Sequence, residues 1–186
     1  MFLIILGIFL AVVVCFGLWA VATYNNLIHQ SNMLSESLSG IAVQQKQRYD
    51  LIPNLVNTVS GYSVHEKELL SSIASLRASA MQSTSPTQAA SIENNLTGAL
   101  HSLFAVVENY PELKANQGFL KLQDSLSKIE TELQLARRYY NAVARNYNTA
   151  ITTFPSVLVA SLCKYEKAAF FVLDNQVQAE APVVKF

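Results

Sequence analysis

The sequence predicts an all-α protein, with an N-terminal transmembrane helix followed by an antiparallel bundle of long helices, three long and one shorter. Three observations carry this expectation. From Met1 to Ala22, twenty of twenty-two residues are apolar. Beyond them, apolar residues recur over long stretches at alternating steps of three and four, the spacing of one helix face. No stretch shows the period of two that a half-buried strand requires. The expected organisation is an anchor over 1–23, a helical bundle over 24–175 and an extended tail over 176–186.

The anchor explains an unusual composition. The chain has 186 residues, with 13 basic and 13 acidic side chains, and is 51% hydrophobic but only 14% charged. Soluble domains carry about 25% charged residues. The excess sits at one end, because no Lys, Arg, Asp or Glu precedes Glu36. About twenty apolar residues at 1.5 Å each cross a hydrocarbon core of roughly 30 Å. Trp19 and Tyr24 stand near one end, where amphipathic rings favour the interface. A cleaved signal peptide would have a basic start and an apolar core of about 7–15 residues. This stretch has neither, and Ala20–Val21–Ala22 is a poor but possible cleavage triplet, so an uncleaved anchor is favoured over a cleaved signal peptide. Orientation stays open: the first basic side chains after the span are Lys46 and Arg48, beyond the reach of the positive-inside rule. Zero net charge gives no reason to expect nucleic-acid binding. Two cysteines cannot make a disulfide framework, and Cys15 lies in the apolar stretch, so the redox compartment is not revealed.

The first long helix follows from one heptad frame. Leu27, Leu34, Leu38, Ile41, Ile52, Leu55, Val59, Tyr62, Leu69, Ile73, Leu76 and Ala80 share it, interrupted by Ser31, Gln45, Arg48 and Glu66. A continuous helix over that frame would be about 80 Å long. With no Gly or Pro between Gly17 and Gly40, the anchor is free to run into it. Pro53 either kinks this helix or breaks it. The unbroken heptad phase favours a kink, with Asp50 near the disturbed turn.

Ser83–Gln88 is the first clear loop. Ser85 and Gln88 form a capping box with Pro86 at the first helical position, so a helix starts there. Ala89, Ile92, Leu96, Ala99, Leu103, Val106 and Tyr110 mark its seam, and Asn109–Tyr110–Pro111 ends it. After punctuation at Asn116–Gln117–Gly118, the third long helix carries Phe119, Leu122, Leu126, Ile129, Leu133, Ala136, Tyr140, Val143, Tyr147 and Ala150, and stops at Phe154–Pro155. A shorter helix is expected from Ser156 to about Asn175.

Reactive constellations are scarce. His29, His65 and His101 are far apart, and none has another His or Cys at metal-ligand spacing. The chain has no phosphate-cradling Gly-rich loop, nucleophile elbow or Cys-x-x-Cys. No enzyme activity, cofactor or metal is therefore expected. Glu66, on the apolar seam, reads as a partly buried carboxylate paired with an arginine of another helix, because an unpaired buried charge is costly. A ligand or switch site is its alternative. Arg137, Arg138 and Arg145 are the candidate partners, or else a solvated face with Glu130 and Glu132. Arg48, Tyr49 and Asp50 beside Pro53 stabilise the kink or form a recognition patch. The seam tyrosines Tyr140 and Tyr147 should fill core volume while each hydroxyl finds one partner.

The segment Gln47-Arg48-Tyr49-Asp50-Leu51-Ile52-Pro53-Asn54-Leu55-Val56, running on to His65-Glu66-Lys67, resembles the LemA family of bacterial membrane-anchored helical proteins. So do Glu108-Asn109-Tyr110-Pro111-Glu112-Leu113-Lys114, Ala136-Arg137-Arg138-Tyr139-Tyr140-Asn141, Tyr147-Asn148, Phe154-Pro155 and Tyr24-Asn25-Asn26-Leu27. Ser37–Leu38 replaces a common Ala-Trp pair, and Ile41–Gln47 lacks an acidic residue usual in the family. The resemblance implies a single anchor, a short N-terminus outside and the bundle inside. It implies no activity, and a magnetosome-membrane branch suggests a role in organising membranes. Arg48, Tyr49, Asp50, Pro53, Asn54, Glu66, Tyr110, Pro111, Arg137 and Arg138 are the candidate interaction or structural residues. The expected function is a scaffold of the bacterial inner membrane, single-pass, with the lipid bilayer and copies of itself as partners. The alternative is a membrane-tethered sensor that recruits an unidentified soluble protein through Arg48–Pro53.

Overall fold

A computed structural model describes residues 1–62, 66–83 and 86–171. Among them are six helices and no strand: α1 (Phe2–Ser60), α2 (Lys67–Gln82), α3 (Pro86–Val107), α4 (Pro111–Lys114), α5 (Gln117–Thr152) and α6 (Ser156–Leu162). The all-α class with an N-terminal apolar helix is as the sequence predicts. His65, the capping residue Ser85 and the tail over 176–186 lie outside the described residues. The chain divides into an anchor unit, Met1–Ile41 with Ala136–Phe170, and a bundle unit that takes in Ala42–Leu135. Both α1 and α5 contribute to each.

In the bundle unit, α1 continues through Pro53 without a break. It stops at Ser60, before Gly61, whose helical preference is poor. The Tyr62 N–H closes the turn on the Val59 carbonyl (3.0 Å). One helix running to Ala80 is therefore corrected to two. Arg77 of α2 reaches back to Tyr49 of α1, so α2 runs antiparallel to α1. The heptad frame hid the reversal because spacing records only that residues face a core. A returning helix that faces the same core keeps that spacing.

Further contacts fix the other directions. Arg48 meets Glu93 and Thr97 of α3 and Glu130 of α5, while Tyr62, just past α1, bonds Asn116 at the start of α5. Hence α3 runs with α1 and α5 runs against it, an up-down-up-down bundle. The core joins Ile52, Leu55 and Val59 to Leu70, Ile73, Leu96, Leu103 and Phe119. The punctuation at Asn116 is an N-cap: its Oδ1 accepts from the N–H groups of Gly118 (2.8 Å) and Phe119 (3.1 Å). A Cβ on Gly118 would lie 3.1 Å from that oxygen, so the cap favours glycine there.

In the anchor unit, Leu27, Tyr147, Ile151 and Ala160 form a core with Leu34 and Tyr165 packed on it. The helix expected to run to about Asn175 ends instead at Leu162. The Lys164 N–H bonds Ser161 O (3.2 Å) and the Tyr165 N–H bonds Ala160 O (3.0 Å), with Lys164 at φ 56°. This is a Schellman stop with lysine in the place glycine usually takes. The following residues form a non-helical strap on α5. Tyr140 Oη donates to Ala169 O (2.9 Å) and Tyr147 Oη to Glu166 O (3.0 Å). The Asn148 amide exchanges two bonds with the Ala168 backbone (2.9 and 2.8 Å). At the other extreme of this unit, Phe2 to Val21 expose nearly every large apolar side chain. Helix α1 is the single described helix long and apolar enough to cross a membrane.

Candidate functional site

The densest polar arrangement lies inside the bundle unit. Arg48 is 2% exposed and Glu93 is 1% exposed. A bare charge at such depth would be prohibitively costly, so the geometry must compensate. Arg48 Nη1 contacts Glu93 Oε2 (3.2 Å) and Glu130 Oε2 (3.3 Å), and Nη2 donates to Thr97 Oγ1 (2.8 Å). Glu93 uses its second oxygen to accept from the Tyr49 hydroxyl. One guanidinium thus joins α1, α3 and α5, as the planar arginine fork permits.

Pro53 adds the fourth helix. Proline has no N–H, so the carbonyl four residues earlier, that of Tyr49, loses its helical donor. Arg77 Nε of α2 donates to that same oxygen at 2.6 Å. The Tyr49 side chain binds α3 while its carbonyl binds α2. Adjacent residues in the sequence, Arg48 and Tyr49, therefore tie α1 to all three neighbours.

The sequence candidates separate into distinct places. Arg48, Tyr49 and Pro53 belong to this cluster. Asp50 is exposed and pairs with Lys46 (2.9 Å), and Asn54 is exposed. Glu66 accepts from the Tyr110 hydroxyl (3.4 Å), so its partner is a tyrosine and not the expected arginine. Pro111 starts α4 and, with Tyr62, Tyr110 and Leu113, lines a small cavity of about 360 Å³. Arg137 is buried in the anchor unit, whereas Arg138 and Arg145 are exposed there.

The carboxylate paired with a buried arginine is Glu93, which the sequence reading missed. The expected α3 seam used Ile92, Ala99 and Val106, whereas the buried face is Glu93, Leu96, Leu100, Leu103 and Val107. The two share Leu96 and Leu103 and differ by one residue elsewhere. A signal existed: Glu93 is the single Asp, Glu, Lys or Arg between Pro86 and Val107. Glu130, placed by the sequence only in an alternative solvated face, is half-buried at the cluster's edge. It lines, with Arg48, His101, Phe104, Lys121 and Asp124, a groove of about 870 Å³ between α3 and α5. Among the described residues, no group of three or more His, Cys, Asp or Glu could hold a metal ion.

The Arg48–Tyr49–Pro53 arrangement lies within the region, residues 37–186, that matches the family model for LemA. The chain belongs to the LemA family. Protein LemA of Metamycoplasma hominis is 30% identical over 151 residues, covering 79% of this chain and 68% of that protein. Magnetosome protein MamQ 2 of Paramagnetospirillum magneticum is 30% identical over 86 residues, 46% of this chain and 31% of its own length. Magnetosome protein MamQ of Magnetospirillum gryphiswaldense is 32% identical over 73 residues, 39% of this chain and 27% of its own. This LemA-family chain thus spans less than a third of the MamQ proteins it matches. The family match begins after the apolar span and includes every residue of the cluster.

Proposed function

We propose that this chain is a non-enzymatic, membrane-anchored scaffold of the bacterial inner membrane, which self-associates and organises the membrane or the proteins on it. One observation carries the reading. The deepest ionisable groups, Arg48 and Glu93, bind each other and neighbouring helices, so their chemistry serves cohesion between helices. An exposed apolar span at the end of α1 needs a bilayer to cover it. The magnetosome proteins among the relatives lend support to a role at membranes. Light scattering and imaging of the full-length protein in nanodiscs should give particles of several copies. A monomer at every concentration would remove self-association from the reading.

The groove beside Arg48 favours a second reading, a tethered module that recruits a soluble partner. Its test is substitution of the exposed Asp50, Asn54 and Asp124 in the full chain. An unchanged set of co-purified proteins would count against recruitment through this region.

A further inference from the structure

The neutral charge of the whole chain conceals a separation. The anchor unit holds five cations, Arg137, Arg138, Arg145, Lys164 and Lys167, against two carboxylates, Glu36 and Glu166. Ala42–Leu135 holds seven cations against nine carboxylates. The basic surplus therefore belongs to the unit that contains the apolar span. Four of its five cations are exposed.

Helix α6 lies in the same unit with an unusual outer face. Its inner side buries Ala160 in the cluster that includes Leu27 of α1. Leu158 and Leu162, four residues apart on the helix, are exposed by 52% and 84%, and Phe154 in the turn just before it by 76%. Lys164 and Lys167 follow at once. The depth of this face relative to the span can be read along α1. Leu27 is five residues beyond Ala22, so α6 packs about 7.5 Å past the end of the apolar run. Headgroup layers add roughly 5–8 Å on each side of the hydrocarbon. Burial first, then Tyr24, two residues past the run, and Cys163 raise the Tyr165 hydroxyl above its usual value.

We propose that Phe154–Lys167 is an interfacial foot: Phe154, Leu158 and Leu162 enter the bilayer surface beside the anchor, and Lys164 and Lys167 bind anionic phospholipid headgroups. A short apolar face edged by lysines is the chemistry that an anionic bilayer surface recognises. The foot also explains why the sequence near the span shows no positive-inside signal. The cations arrive through the fold, from more than a hundred residues away. The proposal rests on the anchor reading above, and two native cysteines separate the two. Cys15 lies in the span and Cys163 at the end of α6, both exposed.

The test uses the full chain in vesicles of phosphatidylcholine, with or without phosphatidylglycerol. A fluorophore is placed on Cys163 in a Cys15→Ser background, or on Cys15 in a Cys163→Ser background. Lipids carrying a spin-label quencher, near the headgroup or at mid-chain, report depth. The anchor reading requires the Cys15 probe to be quenched by mid-chain labels; loss of that quenching marks the anchor's failure, whereas a foot that fails alone leaves it intact. The foot requires the Cys163 probe to be quenched by headgroup-level labels, more strongly in anionic vesicles. Lys164→Glu with Lys167→Glu should remove at least about half of that quenching in anionic vesicles and little in neutral ones. Leu158→Ser with Leu162→Ser should lower it in both. A Cys163 probe with no lipid quenching overturns the foot. So does one whose shielding follows protein concentration rather than lipid charge, which would place a second copy on this face.

Discussion

The centre of the bundle unit and the strap of the anchor unit are built on opposite kinds of polar chemistry. The bundle unit is tied by a fully buried charge pair, Arg48 with Glu93, that joins α1, α3 and α5, while Arg77 of α2 bonds the Tyr49 carbonyl beside it. In the anchor unit the strap is held by neutral groups: two tyrosine hydroxyls and one asparagine amide bind its backbone. A buried ion pair fixes which helices meet, but its removal by halves is severe. Neutral side-chain-to-backbone bonds dock a segment that has no ladder of its own, each contributing only about 0.5–1.5 kcal/mol. The bundle unit should therefore respond to substitution as a whole, and the anchor unit locally.

The largest effect is expected at Glu93. Glu93→Ala leaves Arg48 buried with only Glu130 and Thr97, and should destabilise by about 3–5 kcal/mol, as breaking a buried pair from one side does. Denaturation of the full chain in detergent measures it. The sharper comparison is Arg48→Met with Glu93→Leu, which should recover most of the loss, because two apolar groups need no compensation. A double variant as unstable as Glu93→Ala would mean the charges themselves supply the cohesion.

A smaller, local loss should follow from cutting the strap. Asn148→Ala leaves the Ala168 N–H and C=O without their partner and should cost about 2 kcal/mol. Hydrogen exchange should rise at Ala168 while the protection of α2 and α3 is unchanged. Alkaline pH cuts the same strap. Burial raises the Tyr140 hydroxyl above its usual value, and burial first, then Tyr165 and Glu166, raises that of Tyr147. Both donate while protonated, so their contribution is complete below about pH 10, the unfolded value, and is lost as pH rises through the higher folded value. Protection at Ala168, corrected for the base-catalysed rise of intrinsic exchange, should fall in that range and remain flat from about pH 6 to 9.

How much of this was legible depends on what each residue type reveals. The anchor was plain, since twenty apolar residues have few other uses. Helix α5 was legible in position and in phase, since Phe119, Leu126, Ile129, Leu133, Tyr140, Val143 and Tyr147 of its expected seam are buried, whereas α3 was legible in position but not in phase. Ile92 and Glu93 compete for one seam position, and a hydrophobicity rule chooses isoleucine. Arg48 stood out in the heptad frame, yet its partner lay 45 residues away on another helix. Spacing carries no information about that pairing. The role of Arg77 was invisible for a related reason. Pro53 announces a freed carbonyl at Tyr49, but nothing local says which donor the fold will bring.

That freed carbonyl gives a cycle of intermediate size. Arg77→Met should cost about 1–2 kcal/mol by leaving the Tyr49 oxygen short of a donor. Pro53→Ala restores the N–H that α1 lacks, so the oxygen regains its helical bond. In the Pro53→Ala background, Arg77→Met should cost at least about 1 kcal/mol less, and the difference is the coupling between the two sites. Additive losses in thermal unfolding would show that Arg77 acts elsewhere than at Tyr49.

The smallest effect concerns the point where the sequence expectation failed most plainly, the end of α6. A helix stop with left-handed backbone is normally announced by glycine, and here Lys164 adopts φ 56° without one. The Cβ of a non-glycine residue is strained there, at roughly 1 kcal/mol. Lys164→Gly should therefore stabilise the anchor unit by about 0.5–1 kcal/mol, the reverse of glycine's usual effect on a helix. The same change removes a cation from the face that meets the bilayer. Thermal unfolding in neutral detergent should rise while headgroup quenching at Cys163 in anionic vesicles falls. Opposite signs from one substitution would show that lysine is kept at this position for its charge, against the preference of the backbone.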